Sequence, residues 1–190
     1  MLPSGRLLAA ALARFVRQRA GSGPRRILEV GPGTGAVTRR IIADLGPEDR
    51  LDLVELNGSF VECLRERFKT DPAFRPAADR VRVLHCSVEQ LPADAAYAVI
   101  VSGLPLNNFA AEEVRNILAG LLRLLEPGGT LSFFEYIALR RLKALVSRRS
   151  ERTRLREIGR IEGDLLRDHE IRRDWIWLNV PPAWVHHVRS

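Results

Sequence analysis

The sequence has little of what marks disulfide-rich, metal-binding or membrane-spanning proteins. Only two of its 190 residues are cysteines, Cys63 and Cys86. They fall on a predicted helix and a predicted strand, which favours buried thiols over a disulfide or a metal site. No apolar run approaches the ~20 residues that span a bilayer, and no signal peptide is visible. We therefore expect one cytoplasmic domain with a sizeable core, which the chain length also suits.

The most informative stretch is a strand, a glycine-rich turn and a helix. The strand 27–30 contains Glu29, three alternating glycines follow, and residues 36–45 read as a helix. Glycines at such a turn let the backbone approach a ligand closely. Open α/β sheets bind ligands in the crevice at the carboxyl ends of their strands. The third glycine comes one residue too early for a dinucleotide motif, and the pattern resembles the first motif of class I S-adenosylmethionine-dependent methyltransferases.

A second acidic residue strengthens this interpretation. Residues 51–55 read as the next strand, ending in Glu55, about 20 residues after the turn, where a ribose-binding acid is expected. Residues at the ends of the third and fourth strands complete the predicted site. We predict that S-adenosylmethionine binds there and leaves as S-adenosylhomocysteine. The predicted contacts are Glu29, Gly31, Gly33, Thr34, Gly35, Glu55, Leu56, Ser87, Val88 and Ser102.

Strand and helix patterns alternate along the chain without internal repeats. This alternation predicts a Rossmann-like α/β fold, a three-layer α/β/α sandwich around a mainly parallel seven-stranded sheet. We divide the chain into an N-terminal amphipathic helix (1–20) and a methyltransferase domain (25–190) with a basic helical insertion (139–165). Further strands are predicted at 81–86, 96–101 and 130–136, further helices at 57–70 and 112–125, and a closing antiparallel pair at 171–179 and 184–188.

Several motifs, taken in order, resemble those of the soluble bacterial phospholipid N-methyltransferases. Besides the glycine turn they are Leu2-Pro3-Ser4-Gly5-Arg6, Val54-Glu55-Leu56-Asn57, the stretch from Ser102 to Phe109, Pro127-Gly128-Gly129 and Asn179-Val180-Pro181-Pro182-Ala183. The resemblance covers nearly the whole chain. It implies S-adenosylmethionine as methyl donor and the amine head group of a membrane phospholipid as acceptor, with phosphatidylethanolamine methylated stepwise toward phosphatidylcholine. An ornithine lipid stays open as another amine-bearing acceptor.

For the transfer we expect direct in-line displacement, with the amine attacking the sulfonium methyl group. An apolar pocket favours the neutral amine, so transfer can proceed without a general base. Glu135 and His85 stay open as helpers, although a structural role is favoured for each. Tyr136, at the end of the fifth strand, is the candidate for a cation–π contact with the acceptor nitrogen. Ser102 and Leu104, after the fourth strand, complete the predicted catalytic set. Simple packing of Tyr136 is equally compatible with the sequence. Phe109 and Trp177 are weaker acceptor candidates, and both are expected in the core.

Two other substrate classes stay open. The glycine turn is also similar to that of the ribosomal RNA adenine N6-dimethyltransferases, whose loop after the fourth strand reads Asn-Leu-Pro-Tyr. Here that loop reads Gly103-Leu104-Pro105-Leu106. Adenine transfer needs a polar acceptor near the exocyclic amine and an aromatic ring to stack the flipped base, and this loop supplies neither. We therefore expect no nucleic-acid partner, and a small-molecule methyltransferase is the remaining alternative.

The net charge of +7 is concentrated in one segment. Residues 139–160 carry nine Lys or Arg and two Glu, while the rest of the chain is balanced. The helix predicted over residues 5–19 can either pack on the sheet or lie on a membrane surface. We predict a peripheral position at the inner face of the cell membrane, with an anionic lipid surface as partner. The residues assigned to this contact are Arg6, Leu8, Leu12, Phe15, Arg140, Arg148, Arg149, Arg152 and Arg156.

Overall fold

A computed structural model describes residues 5–18, 23–92, 94, 96–136, 149–177 and 181–190. The strands are β1 (Arg26–Val30), β2 (Arg50–Glu55), β3 (Val81–His85), β4 (Tyr97–Ser102), β5 (Leu125–Tyr136), β6 (Glu170–Ile176) and β7 (Ala183–Arg189). The helices are α1 (Arg6–Leu12), α2 (Arg14–Arg17), α3 (Ala36–Asp44), α4 (Gly58–Thr70), α5 (Ala111–Arg123) and α6 (Arg149–His169). Short 3₁₀ turns follow α4, β3 and β4.

The strands form one seven-stranded sheet in the order β3-β2-β1-β4-β5-β7-β6. The first five strands of this order pair in parallel, and β7 pairs antiparallel with both β5 and β6. The central strands are apolar on both faces because helices cover both sides, as parallel sheets require. The predicted fold class, a Rossmann-like three-layer sandwich with a mainly parallel sheet, is confirmed.

Two hydrophobic cores lie on opposite faces of the sheet. Successive strand residues point to opposite faces, so Ile27 of β1 joins one core and Leu28 joins the other. The first core packs α1 to α4 against the sheet, and the second packs α5 and α6. The carboxyl ends of the parallel strands stay uncovered by either helical layer, and the glycine turn after β1 lies at that edge.

The N-terminal segment belongs to the first core. Instead of one helix over residues 5–19, the described chain forms α1 and α2, which meet at Ala13. Leu8 and Leu12 are fully buried, and Phe15 is half-buried with its ring centroid 4.9 Å from that of His187. The expectation that Leu8 and Leu12 enter a membrane is therefore corrected, because apolar burial against the sheet already occupies both side chains.

The basic segment is described only in part. Arg140 and Arg148 lie outside the described residues, as does the side chain of Arg149, whereas Arg152 and Arg156 are exposed on α6. Glycines weaken helices by ~1 kcal/mol each, yet α6 runs through Gly159 and Gly163. Leu155 and Ile158 explain this, because both side chains are buried and Ile158 belongs to the second core. Tertiary packing offsets the low helix propensity, so α6 continues to His169, past the predicted end of the basic helical segment at residue 165.

The closing hairpin and the fifth strand agree with expectation in type and differ in extent. β5 begins at Leu125 and passes through the Pro-Gly-Gly stretch, where the pairing with β4 shifts register between Tyr97 and Val99. Gly128 has a positive φ of 79° there, which accommodates the irregularity. β6 and β7 pair antiparallel as predicted. Among the described residues, the helices are all too short or too polar to cross a membrane.

Candidate active site

A cavity of about 730 Å³ opens at the carboxyl edge of β1, β2 and β4. Its volume falls within the ~300–1,000 Å³ range of small-molecule sites. The turns that follow four parallel strands form its floor, and side chains from α4 and α5 form its sides. The lining residues include Gly31, Gly33, Glu55, Leu56, Asn57, Phe60, Cys86, Ser87, Val88, Gly103, Leu104, Pro105, Asn108, Phe109, Glu113, Asn116 and Ile117.

The glycine turn is packed directly against the loop after β4. The Gly31 N–H donates to the Val54 carbonyl at 2.9 Å, and the Gly103 N–H donates to the Val30 carbonyl at 2.8 Å. A Cβ on Gly103 would lie 2.6 Å from the Gly31 carbonyl oxygen, closer than real Cβ contacts. Gly31 has φ +69°, and a Cβ there would lie 2.7 Å from Leu104 Cδ2. The absence of a Cβ at these two glycines therefore allows Leu104 to pack against the turn, at the cavity wall.

Glu55 ties β2 to the glycine turn. Its Oε2 accepts from the Gly33 N–H at 3.0 Å, and its Oε1 accepts from the Asn57 N–H at 2.9 Å. The residue is 8% exposed and lines the cavity. A carboxylate has about four lone-pair positions, so each oxygen can accept a further hydrogen bond from a ligand. Glu55 is thus a fixed acceptor pair suited to adjacent ribose hydroxyls.

Glu29 lies beneath the turn rather than in the cavity. It is fully buried, and neither carboxyl oxygen has a hydrogen-bond partner of good geometry among the described residues. Burial raises its pKa to about 8, Thr38 offsets part of that rise, and the neighbouring Glu55 adds to it. The carboxyl is therefore mostly protonated at neutral pH. Glu29 was predicted to contact the cofactor, and the structure places it behind the cavity wall.

Five of the remaining predicted cofactor contacts are brought to the cavity and three are not. Those that line it are Gly31, Gly33, Leu56, Ser87 and Val88. Gly35 instead begins α3 with φ +85°, where a Cβ would lie 3.0 Å from Leu64 and 3.2 Å from Phe74. The Thr34 carbonyl accepts from Arg67 at 2.5 Å. Ser102 is buried, and its Oγ accepts from the Leu104 N–H at 3.4 Å. In the described structure these last three residues support the turns that shape the site.

The predicted acceptor residues are separated in the structure. Leu104 lines the cavity. Tyr136 ends β5 and is not among the cavity-lining residues of the described chain; its ring packs at 4.9 Å from that of Phe134. Burial raises the pKa of its phenol. Its contact with the acceptor stays a prediction, and its observed neighbours are those of a packing residue.

Two aromatic residues differ from expectation. Phe109, expected in the core, lines the cavity, whereas Trp177, also expected in the core, is 63% exposed. Phe60 of α4 also forms part of the cavity wall. Hydrophobic periodicity marks such residues as facing inward, and it does not distinguish the core from a cavity that opens beside it.

Arg154 is a supporting residue that sequence reasoning missed. Its guanidinium donates to the Asn107 carbonyl at 3.1 Å and to the Phe109 carbonyl, so that α6 holds the loop after β4. The side chain is 25% exposed and also pairs with Glu151 at 2.7 Å. The sequence placed it inside a basic run and gave no sign that one arginine of that run points inward.

The family known as the methyltransferase domain matches residues 27–129, from β1 through the Pro-Gly-Gly stretch. That match covers more than half of the 190 residues and includes the glycine turn, Glu55 and the loop after β4. The chain belongs to the methyltransferase-domain family. The predicted membership of the methyltransferases is therefore confirmed at the level of the family.

Individual relatives are more distant. The chain is similar to an ornithine lipid N-methyltransferase of Singulisphaera acidiphila, 32% identical over 108 residues that cover 57% of this chain and 56% of the relative. It is also similar to the ubiquinone/menaquinone biosynthesis C-methyltransferase UbiE of Ectopseudomonas mendocina, 30% identical over 125 residues, 65% of this chain and 46% of the relative. The chain thus spans about half the length of these relatives.

Solved structures support the fold. The crystal structure of the O-methyltransferase TomG of Streptomyces achromogenes, in complex with S-adenosylmethionine, aligns with a TM-score of 0.67. The alignment covers 96% of this chain and 79% of TomG, at 16% sequence identity. At that identity the likeness concerns the fold alone.

Proposed function

We propose that this protein transfers methyl groups from S-adenosylmethionine to the amine head group of a membrane lipid. The observation that carries the proposal is the loop after β4. Leu104 and Pro105 give the cavity an apolar wall beside the glycine turn, and such a wall favours the neutral, nucleophilic form of an amine. The similarity to an ornithine lipid N-methyltransferase supports an amine lipid as acceptor. Phosphatidylethanolamine and ornithine lipid are both candidates.

The residues present fit the cofactor. Glu55 provides two fixed acceptor oxygens for the ribose hydroxyls. A Cβ added to Gly33 would meet no atom within 4 Å, so this glycine leaves room for the ligand beside the turn. Leu56 and Val88 provide apolar surfaces for the adenine ring, and Ser87 lies beside them at the cavity wall. S-Adenosylmethionine supplies an electrophilic methyl group on a sulfonium when it is bound.

The chain's own contribution to transfer is binding, orientation and exclusion of water. Alignment of the two reactants at near-contact distance accounts for most of the rate gain in such a displacement. Leu104, held by Gly31 and Gly103, narrows the cavity at the point where the glycine turn meets the loop after β4. Phe109 and Ile117 extend the apolar wall toward α5. In this arrangement the amine loses its proton to solvent before it enters, and no side chain has to remove it.

The backbone around Gly103 argues against adenine as acceptor. The adenine enzymes described above have an asparagine at this position of the loop, and here a Cβ would lie 2.6 Å from a backbone oxygen. Where those enzymes have a stacking tyrosine, Leu106 is buried in the core with 2% exposure. At position 103 the backbone therefore leaves no space for a polar side chain such as that of asparagine.

The decisive test offers purified protein several acceptors together with S-adenosylmethionine labelled in its methyl group. The acceptors are phosphatidylethanolamine vesicles, ornithine-lipid vesicles, ribosomal RNA and a demethylated quinone. We expect label in one or both amine lipids, and none after Glu55→Ala. Label confined to the quinone would replace the proposal with carbon methylation, and label confined to RNA would overturn it in favour of nucleic-acid methylation.

A further inference from the structure

All three tryptophans of the chain form one cluster on the closing hairpin. The ring centroid of Trp175 lies 4.9 Å from that of Trp177 and 5.5 Å from that of Trp184. Trp175 is 52% exposed and Trp177 is 63% exposed. Tryptophans bury more apolar area than most side chains when they find a partner, so two adjacent, half-exposed indoles indicate a contact surface rather than a core.

The cluster lies at the same edge of the sheet as the cavity. Ala183 of β7 pairs with Tyr136, the last residue of β5, and with Ile176, the last residue of β6. The end of the hairpin that carries the tryptophans is therefore the end that adjoins the carboxyl edge of the parallel strands. The cavity opens at this edge beside β1 and β4. The tryptophans lie at the same edge on the other side of β5, where β7 and β6 follow in the sheet. A flat surface in contact with the cluster would also face the cavity edge.

Two arginines lie beside the cluster. The Arg173 guanidinium lies 5.4 Å from the ring centroid of Trp184 and pairs with Glu170 at 2.8 Å. Arg172 is exposed on β6 and pairs with Asp174 at 2.8 Å. The sequence between Tyr136 and α6 contains four Lys or Arg and no acidic residue. Of the described residues that flank this sequence in the chain, Tyr136 ends β5 at the carboxyl edge, and Arg154 of α6 contacts the loop after β4. Anionic lipid attracts basic residues near its surface with ~1 kcal/mol each.

The strand itself is poorly suited to pairing with a second copy of the chain. Exposed edge strands invite pairing with another strand, and charged residues and bulges prevent it. β6 is an edge strand with both devices, namely Arg172 and Arg173 on the strand and a register shift between Glu170 and Arg172. Because strand pairing is disfavoured here, the exposed aromatic cluster is better matched to a partner without strands. Amphipathic indole rings are enriched at membrane–water interfaces.

We propose that the cluster of Trp175, Trp177 and Trp184 is the surface by which this protein docks on an anionic lipid bilayer. The indole rings enter the head-group boundary, the neighbouring arginines contact phosphates, and the cavity edge is turned toward the lipid. This assignment rests on the proposed function for its purpose, since a lipid acceptor must be taken from a bilayer. It replaces the N-terminal helix, whose Leu8 and Leu12 are buried, as the apolar docking element.

Tryptophan fluorescence tests the proposal directly, because all the tryptophans of the chain belong to the cluster. The probe is equimolar phosphatidylglycerol and phosphatidylcholine vesicles, which carry no primary amine, so that docking is measured apart from methyl transfer. We expect a blue shift of the emission, quenching by brominated acyl chains, and weaker binding to pure phosphatidylcholine. Trp177→Ala should weaken vesicle binding by ~10-fold or more, whereas Trp177→Phe should retain most of it.

Leu7→Ala is the matched control, because Leu7 is an exposed apolar residue on α1, 52% against 63% for Trp177. It should bind vesicles as the unchanged protein does, and all variants should unfold at similar temperatures. Loss of binding on Leu7→Ala but not on Trp177→Ala would overturn the proposal in favour of the N-terminal helix. Emission indifferent to vesicles would overturn it too, and a dimer abolished by Trp177→Ala would make the cluster an interface between copies.

A second measurement separates failure of docking from failure of the proposed function. Methyl transfer is compared on vesicles and on a short-chain phosphatidylethanolamine dissolved as monomers. We expect Trp177→Ala to lower the rate on vesicles by ~10-fold or more and to leave the rate on the monomeric lipid unchanged. Equal loss on both would place the tryptophan in the acceptor site and overturn the docking role. Vesicle docking without transfer to either lipid would contradict the proposed function alone.

Discussion

Glu55 and Gly33 are joined by a hydrogen bond of 3.0 Å from the glycine N–H to the carboxylate. The acid at the end of β2 therefore orders the turn after β1, and both halves of the expected cofactor site are connected before any ligand arrives. A charge-assisted bond of this kind is roughly twice as strong as one between neutral groups. This bond preorganises the site. Removing the Glu55 carboxylate is therefore expected to disturb the turn at Gly33 as well as the contacts of Glu55 itself.

Replacing Glu55 by alanine tests this connection. The change removes acceptors for the ribose hydroxyls and for the Gly33 and Asn57 N–H groups, and bonds to charged groups contribute ~1.5–3 kcal/mol each. We expect S-adenosylmethionine affinity to fall by ~10-fold to 100-fold or more in calorimetry. Unlike a residue that only contacts ligand, Glu55 should also lower the free energy of unfolding when it is replaced.

Glu48→Ala is the control, because Glu48 is an exposed acid in the loop before β2. It should change neither cofactor affinity nor stability. Cofactor binding of Glu55→Ala that equals the unchanged protein would remove Glu55 from the site.

The close approach of Gly31 and Gly103 predicts a steric effect. Gly103→Ala places a Cβ 2.6 Å from the Gly31 carbonyl oxygen, so one of the two turns must move. Overpacking of this kind costs ~1–3 kcal/mol, and the displaced turn should weaken cofactor binding as well. Gly163→Ala is the matched control, because Gly163 lies in α6 and a Cβ there would meet no atom within 4 Å. This variant should raise the free energy of unfolding by up to ~1 kcal/mol. Urea unfolding of both variants checks the contrast, and equal stability changes would contradict it.

The sequence was sufficient where short-range spacing determines geometry. A strand, three glycines and a helix, with Glu55 at the end of the next strand, led to the correct turn and the correct sheet. It was insufficient where a side chain has two possible apolar partners. The face of Leu8 and Leu12 suits a membrane or a sheet equally, and only the packed structure shows that the sheet covers it. For the same reason Trp177 appeared to be a core residue, because hydrophobicity does not reveal that an edge strand leaves its ring exposed.

Two buried groups give stability an unusual dependence on pH. The pKa of Glu29 is raised to about 8 from 4.5, so the folded state keeps a proton that the unfolded state loses, and stability falls as pH rises through this window. The pKa of His187 is lowered to about 4 from 6.5, mainly by burial, so stability is lost as pH falls through that window. Each slope is about 1.4 kcal/mol per pH unit. The two effects oppose each other from pH 4.5 to 6.5, and the decline from Glu29 is uncompensated from pH 6.5 to 8.

Glu29→Gln should remove that alkaline decline. Because glutamine stays neutral, the stability of the variant relative to the unchanged protein should rise between pH 5 and pH 8 by on the order of 3 kcal/mol. The measurement is urea unfolding at several pH values without cofactor, with Glu48→Gln as the exposed control. Parallel pH profiles for the unchanged protein and Glu29→Gln would show that the Glu29 carboxyl is already ionised in the folded state.

Arg154 is expected to act on the acceptor side of the site through the loop it holds. Its guanidinium donates to the carbonyls of Asn107 and Phe109, and Phe109 lines the cavity. Arg154→Ala removes these bonds, so the loop after β4 should loosen while Glu55 and the glycine turn keep their geometry. We expect kcat/KM for the acceptor to fall by ~10-fold, from loss of bonds worth ~1.5 kcal/mol or more. Affinity for S-adenosylmethionine should change much less.

Arg154→Lys should rescue only part of the loss, because an ammonium lacks the planar fork that reaches both carbonyls. Arg156→Ala, an exposed neighbour on the same helix, should match the unchanged protein on the monomeric short-chain lipid. Equal losses of cofactor affinity and acceptor kcat/KM in Arg154→Ala would mean that the arginine stabilises the whole cavity rather than its acceptor side.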